Sequence, residues 1–303
     1  MNSQLLPHTI GLRSRLFRNR PAVAALILLA AIILLAAFGP IIFQTDPHAT
    51  TPQQFNPPSR QHLFGTDLNG RDVFARVLEG ARISLFVGFC GAVVSFTIGT
   101  AFGLIAGYVG GKTDAVMMRF VEILYAVPRL IIIIIASFVF DPVVKGWLAS
   151  IHEPLVGYSK ILILILALGM IEWLTMARIV RGQVLTLKNQ QFVLAARSLG
   201  QSHTRIILRH LLPNIAGIVV IYLTLTIPAV ILDESFLSFL GLGIQAPQAS
   251  WGSLLSEGAT VINPVRSYWW LLFFPALAMS LTLLALNFLG DGLRDALDPR
   301  RQR

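Results

Sequence analysis

The chain has 303 residues, of which 13% are charged, and its mean hydropathy is +0.70. A soluble domain carries about 25% charged residues, so this sequence cannot bury its apolar side chains in one water-soluble core, and it indicates an all-α polytopic membrane protein. The net charge of +9 does not indicate nucleic-acid binding, because the basic residues stand in short segments beside apolar runs. The single cysteine, Cys90, excludes an intrachain disulfide.

About six apolar runs are long enough to cross some 30 Å of hydrocarbon as helices. They fall near residues 21–43, 84–107, 116–140, 161–180, 213–240 and 269–290. The first run follows a basic N-terminus, as in a signal peptide, but it is too long for one and predicts a retained span. The chain then divides into a basic tail with the first span (1–43), an extracytoplasmic segment (44–82), a five-helix core (83–293) and a second tail (294–303).

The distribution of Lys and Arg predicts that both termini lie in the cytosol. In this orientation the cytosolic segments carry Arg13, Arg15, Arg18, Arg20, Lys112, Arg119, Arg178, Arg181, Lys188, Arg197, Arg205, Arg209, Arg294, Arg300, Arg301 and Arg303. The extracytoplasmic segments carry fewer than half as many, namely Arg60, Arg71, Arg76, Arg82, Lys145, Lys160 and Arg266.

Several of the predicted spans contain glycine or proline at positions that affect helix packing or bending. Gly99, Gly103 and Gly107 recur every four residues in the second span, and such a face favours close packing against a neighbouring helix over a glycine-lined pore. Prolines inside apolar runs remove a backbone hydrogen bond and permit a kink; they are Pro128, Pro228 and Pro275.

A basic, helix-compatible loop at residues 190–213 separates the fourth and fifth spans. Gln191 to Leu199 contains good helix formers, Gly200 can end a helix in the left-handed conformation, and Ser202 can cap the next helix. In that second piece, one face can be formed by Ile206, Ile207, His210 and Leu211, while Arg205 and Arg209 point elsewhere. Pro213 suits the start of the fifth span. A solvated interfacial helix pair without a partner is the alternative interpretation of this loop.

The spacing of this loop resembles the EAA loop of the membrane subunits of ABC importers: Ala195-Ala196, then Gly200, nine residues, and His210-Leu211-Leu212-Pro213. Leu194 departs from the family, which usually has Glu there. In that family the loop's short helix docks in a groove on a cytosolic ATPase subunit. The resemblance therefore implies an ATPase-coupling role for Ala195, Ala196, Gly200, His210, Leu212 and Pro213.

Further stretches resemble the C-type permease subunit of oligopeptide and dipeptide ABC importers. They are residues 64–85, the series Asp114, Met118-Arg119, Glu122 and Pro128, and residues 173–183, 234–243, 250–252 and 287–299. The resemblance implies a type I ABC importer permease fold in the cytoplasmic (inner) membrane, forming half of a peptide pathway that works by alternating access. It also implies a second permease subunit, two ATP-binding subunits that hold ATP and Mg²⁺, and an extracytoplasmic peptide-binding protein. No cofactor is expected on this chain itself.

Charged residues within a span usually face a cavity or a partner. Arg119, Glu122 and Arg129 fall on roughly one face of the predicted third span and are candidates for the peptide path. An internal salt bridge is the alternative. Near the outer surface, residues 236–247 together with Trp251 and Gly252 are expected to form an irregular segment on which the binding protein could rest. The candidates for this contact are Gly241, Gly243, Trp251 and Gly252.

Other function classes lack their motifs. Gly111-Lys112-Thr113 resembles the end of a phosphate-binding loop, but Ala106 stands where that loop requires glycine. An intramembrane enzyme such as a protease is the alternative from another class, but the sequence has neither the H-E-x-x-H nor the G-x-S-x-G motif, so no catalytic or metal-binding residue is predicted. A nickel permease subunit remains an alternative, although Met117-Met118 is too little to form a metal path. A secondary transporter would leave the coupling loop without a purpose.

Overall fold

The computed structural model of the protein describes residues 17–263 and 265–297, so most of both predicted tails lies outside the described residues. Ten α-helices are numbered here in chain order within those ranges: α1 Arg20–Ile42, α2 Val73–Val109, α3 Gly111–Ala126, α4 Arg129–Ile151, α5 Ser159–Leu187, α6 Gln191–Ser198, α7 His203–Ile206, α8 Leu212–Phe239, α9 Trp251–Thr260 and α10 Trp270–Leu297. A 3₁₀ helix (Glu153–Tyr158) precedes α5, and a π-helical turn (Ile207–Leu211) joins α7 to α8. Six helical stretches in the described chain are long and apolar enough to span a membrane, which confirms the predicted all-α fold.

The helices α2 and α5 form the centre of the bundle. A Cβ atom added at Gly103 would lie 2.5 Å from the Ala177 carbonyl oxygen, and one added at Gly99 would lie 2.6 Å from Met176 Cβ. The two backbones therefore approach as closely as glycine allows, and the predicted packing face is confirmed. With 37 residues, α2 is about 55 Å long and extends beyond the hydrocarbon layer.

The helix α2 begins well before the apolar run near 84–107. Asp72 caps it by accepting a hydrogen bond from the Ala75 N–H at 2.9 Å. The first turns are held by Arg76, which is 1% exposed and bonds both Asp67 of the preceding segment and Glu257 of α9. Residues 73–82, expected in the extracytoplasmic segment, are thus helical and packed against α9.

The predicted third span is wrong as a single helix. Residues 116–140 are divided between α3 and α4, because Val127 and Pro128 are extended with ψ of 131° and 119°. A proline disfavours helical geometry in the residue before it, which explains the break. The break lies beside the middle of α5, since Tyr125 bonds Thr175 and Arg129 faces Glu172. Pro228 and Pro275, by contrast, lie inside the continuous helices α8 and α10.

Candidate functional site

The loop between α5 and α8 folds as helix, turn and short helix, as predicted. Gly200 has a φ of 72° and ends α6 in the left-handed conformation. Its N–H donates to the Arg197 carbonyl at 2.9 Å, and the Gln201 N–H donates to the Ala196 carbonyl at 3.1 Å. These two bonds satisfy carbonyls that the helix end would otherwise leave free. Ser202 occupies the cap position of α7, but its hydroxyl makes no capping bond.

One face of this loop is anchored in the bundle. Val193, Ala196, Ile206 and Leu211 are buried and pack in one cluster with residues of α2, α5 and α8. His210 Nε2 lies 2.9 Å from Gln201 Oε1, so the imidazole ties the π-helical turn to the residue after Gly200. The predicted apolar face of the second helical piece is confirmed. The loop is therefore held in a fixed position against the bundle. Residues 190–213 are called the elbow below.

The opposite face is exposed and combines apolar with basic side chains. Leu199 is 79% exposed and Leu208 is 57% exposed, beside exposed Arg197, Arg205 and Arg209. Large exposed apolar residues grouped on one surface indicate a protein-binding site. Of the coupling candidates, Ala195, Gly200 and Pro213 belong to the exposed surface, His210 and Leu212 are half-buried, and Ala196 is buried.

The elbow is also joined to the end of α2, which sequence reasoning missed. The Tyr108 hydroxyl lies 2.9 Å from His203 Nδ1, and the Arg197 guanidinium lies 5.0 Å from the centre of the Tyr108 ring. Lys188 Nζ donates to the Gly107 carbonyl at 2.9 Å. These contacts connect the loop to α2 through polar groups, in addition to apolar packing.

A further ion pair fixes α3 to the same end of the bundle. Arg181 of α5 donates two hydrogen bonds to the Asp114 carboxylate of α3. Hydrogen bonding by Arg181 holds the pKa of the Asp114 carboxyl below its ordinary value. This pair and Lys188 surround the turn at Gly110 that separates α2 from α3.

The three predicted pathway charges are not brought together. Arg119 and Glu122 pair with each other at 3.2 Å on an exposed surface of α3, with side chains 76% and 61% exposed. Arg129 lies on α4 beyond the helix break, so the predicted common face does not exist. Its guanidinium lies 3.1 Å from Asp233 of α8 and 3.7 Å from Glu172 of α5.

Neither Glu172 nor Asp233 was singled out as a partner from the sequence. Both carboxylates are largely buried, whereas the Arg129 side chain is 57% exposed. Glu234, the neighbour of Asp233, points to a different part of the bundle and accepts hydrogen bonds from Ser84 and Ser238 at 2.9 and 2.7 Å. The arrangement at Arg129 is therefore a three-helix charge cluster with two anions and one exposed cation, beside a discontinuous helix.

The four candidates for binding-protein docking differ in exposure. Gly241 is exposed with a φ of 76°, whereas Gly243 is buried. Trp251 is fully buried, and a Cβ at Gly252 would lie 2.2 Å from the Ser235 carbonyl oxygen. Trp251 and Gly252 therefore hold α9 against α8 and can shape the outer surface only from beneath.

Comparison with protein families identifies the architecture. A family model described as the binding-protein-dependent transport system inner membrane component matches residues 99–303. The chain belongs to this family. A second model, the N-terminal transmembrane domain of oligopeptide transport permease C, matches residues 12–60. The chain is therefore a multi-pass inner-membrane component of a transport system.

Individual proteins agree with this assignment. The chain is 45% identical to the dipeptide transport system permease protein DppC of Bacillus subtilis, covering 98% of this chain and 88% of the relative. It is 47% identical to the oligopeptide transport system permease protein OppC of Haemophilus influenzae, covering 95% and 87%. A chain of the inward-facing MetNI methionine ABC transporter superposes with a TM-score of 0.56 at 17% identity, covering 75% of this chain and 98% of that one. The predicted type I ABC importer permease fold is confirmed.

Proposed function

We propose that this chain is the permease subunit of an ATP-driven peptide importer and forms half of the path through the membrane. The two relatives are named as dipeptide and oligopeptide transport permeases, and their names support peptide as the cargo. The proposal rests on the elbow, which contains α6 and α7. One face of the elbow packs against the bundle, and the described chain leaves the other face, which combines apolar and basic side chains, uncovered. A partner that pushes this face would move α2, α5 and α8 together.

The partners follow from this role. We propose a second permease subunit, two cytosolic ATP-binding subunits that hold ATP and Mg²⁺, and an extracytoplasmic peptide-binding protein. The family description, a component of a binding-protein-dependent system, supports the last of these. The segment around Gly241 is the exposed outer element to which we assign binding-protein contact.

We also propose that both chain termini lie in the cytosol with the elbow. The even number of candidate spans within residues 17–263 and 265–297 supports this proposal, because an even number of crossings would return the chain to the side on which it began. The contact between Tyr108 and His203 places the end of α2 beside the elbow. Since α2 is the second span, its end is on the same side as the chain's N-terminus, and the basic residues of the elbow agree with a cytosolic location.

Motion of the elbow would reach the membrane helices through two connections. The π-helical turn continues from α7 into α8 without a break, and the Tyr108 contacts join the elbow to α2, where Lys188 at the end of α5 also bonds Gly107. Closure of the ATPase pair would thus act on α2 and α8 at once. The two helices pack on each other along the bundle. Their joint movement would open the proposed peptide path toward the extracytoplasmic side of the membrane.

Within the path, we assign Arg129 as the charged group that faces the peptide. Its side chain is largely exposed while its two carboxylate partners are buried behind it. A peptide carries one positive and one negative terminus, so a cation backed by two anions offers each terminus a weak contact without trapping the peptide. Arg119 and Glu122 lie on the outside of α3 and are weaker candidates.

Reconstitution in proteoliposomes tests the proposal. The chain purified with its second permease, ATPases and binding protein should hydrolyse ATP faster when a peptide is supplied and should accumulate that peptide. Accumulation by the chain without any ATP-hydrolysing partner would overturn the proposal. Unchanged ATP hydrolysis with peptide, but stimulation by a divalent metal ion, would replace peptide by metal as the cargo.

A further inference from the structure

Arg82 of α2 completes the hydrogen bonding of α1 where a proline interrupts it. Pro40 has no N–H, so the Ala36 carbonyl, four residues earlier in α1, lacks its helical donor. Arg82 Nε donates to this carbonyl, and Nη2 donates to the Ala37 carbonyl at 2.6 Å. Both bonds go to neutral acceptors, so they fix the guanidinium without neutralising its charge.

That charge has no counter-ion in the part of the chain that the structure describes. No carboxylate in residues 17–263 or 265–297 forms an ion pair with Arg82, and Nη1 makes no hydrogen bond there. Ala36 lies six residues before the end of α1 at Ile42, which places the guanidinium about 9 Å along the axis from the helix end. An arginine at this depth can extend to the headgroup layer, but an unpaired cation facing lipid is costly.

A groove of about 570 Å³ opens beside Arg82 between α1, α2, α8 and α10. Arg82 is its single charged lining residue, and the rest of the lining is apolar. Phe86 and Phe89 are each 57% exposed on the α2 side, and Ile33 is 46% exposed on the α1 side. The groove therefore runs from a cation near the membrane surface into an apolar channel between helices.

We propose that this groove binds one membrane phospholipid, with its phosphate on Arg82 and an acyl chain beside Ile33, Phe86 and Phe89. The polarity order matches an amphiphile, since the cation stands at headgroup depth and the apolar lining follows it. Phosphate oxygens suit the planar donors of a guanidinium. A helix of another protein would need a carboxylate at this same height to neutralise Arg82, whereas phospholipid supplies the anion everywhere in that leaflet. The lipid would fill the space between α1 and the helices α2, α8 and α10.

Lipid retention by the assembled transporter tests this site. The complex is extracted from vesicles of phosphatidylethanolamine and phosphatidylglycerol, washed in detergent, and weighed by native mass spectrometry. Arg82→Gln should retain roughly tenfold less of one tightly held phospholipid, because a charge-assisted contact is lost. Arg60→Gln, the same change at an exposed arginine of the adjoining segment, should retain as much as the unmodified chain. Equal retention by Arg82→Gln would overturn the proposal.

A second variant separates lipid binding from the role of Arg82 in holding α1. Ala37→Trp narrows the groove from an exposed lining position and leaves Arg82 in place, so it should also release the lipid. Retention of lipid by Ala37→Trp would contradict the assigned acyl position. A photoreactive amino acid that replaces Phe86 should crosslink to lipid in the assembled complex and increase the mass of the chain by that of one phospholipid. An adduct with the second permease would show that protein covers the groove and would overturn the lipid assignment.

Discussion

Tyr108 and His203 join the last turn of α2 to the first turn of α7 in the elbow, with the hydroxyl 2.9 Å from the imidazole Nδ1. The two residues are separated by 95 positions in the chain. Tyr108 is nearly buried, and its ring also lies beneath the Arg197 guanidinium. One tyrosine therefore contacts both helical pieces of the elbow, α6 through Arg197 and α7 through His203.

Tyr108→Phe should weaken coupling while leaving the fold intact. The change removes one hydroxyl, and a single hydrogen bond contributes about 1 kcal/mol net. We expect peptide-stimulated ATP hydrolysis by the reconstituted complex to fall about fivefold, with ATPase subunits still bound. Tyr158→Phe is the matched control, because Tyr158 is exposed at the other end of the bundle. Equal stimulation in Tyr108→Phe and the unmodified complex would remove Tyr108 from the coupling route.

Gly200→Val should also uncouple the transporter, for a different reason. A Cβ at Gly200 meets no atom within 4 Å, so the cost comes from the φ of 72°, which a β-branched residue rarely adopts. Membrane insertion should be normal and peptide-stimulated ATP hydrolysis reduced. Gly182→Val is the control, since its Cβ also meets no atom within 4 Å and its backbone is helical. Unchanged hydrolysis in Gly200→Val would count against the elbow as the coupling element.

The elbow was predictable because its signals are local. The glycine that ends α6 and the apolar spacing of Ile206 and Leu211 lie within a few residues of each other, and the structure reproduces both. The contact between Tyr108 and His203 was not predictable, because no local pattern relates residues 95 positions apart. The same holds for Arg129, whose partners lie on two other helices.

The two errors at helix boundaries have physical causes as well. Residues 73–83 were left outside the second span because Arg76, Glu79 and Arg82 interrupt the apolar run. In the folded chain these charged side chains bond residues that are distant in the sequence, and a hydropathy profile contains no information on such contacts. Pro128 was recognised as a site of bending, but the sequence did not show that Val127 and Pro128 are extended and divide the span, or that Arg129 at the start of α4 pairs with residues of α5 and α8.

Replacement of Arg129 should distinguish a pathway residue from a structural lock. Arg129→Gln leaves Glu172 and Asp233 without their cation, and we expect lower stability together with a large loss of peptide uptake. Adding Asp233→Asn removes the excess negative charge, so the double variant should regain thermal stability but not uptake. Recovery of both properties would assign Arg129 a purely structural role.

Glu122→Gln serves as the comparison for Arg129. The pair of Arg119 and Glu122 is highly exposed, and exposed pairs contribute about 0 to 1 kcal/mol. Both thermal stability and peptide uptake should stay close to those of the unmodified chain. Normal stability with lost uptake would return Glu122 to the list of pathway residues.

The pair of Asp114 and Arg181 should make stability dependent on acid pH. Because hydrogen bonding by Arg181 lowers the pKa of Asp114 in the folded chain, the stabilisation is fully present above the ordinary pKa of 3.8. It should be lost as the pH falls from that value through the lowered one. Asp114→Asn should reduce the thermal midpoint at pH 7 and flatten its decline in acid, whereas Asp46→Asn, at an exposed carboxyl, should do neither. An unchanged acid profile in Asp114→Asn would contradict this assignment.

Arg76 should be the most sensitive residue of the outer segment. Its guanidinium is buried and bonds Asp67 at 2.8 Å and Glu257 Oε1 at 2.8 Å, joining the segment before α2 to α9. Arg76→Met leaves Arg71 as the one cation paired with the buried Asp67 carboxylate among the described residues, so we expect a loss of about 3 kcal/mol in unfolding free energy. Glu257→Gln should cost less, because the Glu257 side chain is 41% exposed. Thermal unfolding of the purified complex measures both, with the exposed Arg60→Met as control. If Glu257→Gln lowered the unfolding free energy more than Arg76→Met, the contact between the segment before α2 and α9 would depend on the α9 carboxylate and not on the buried cation.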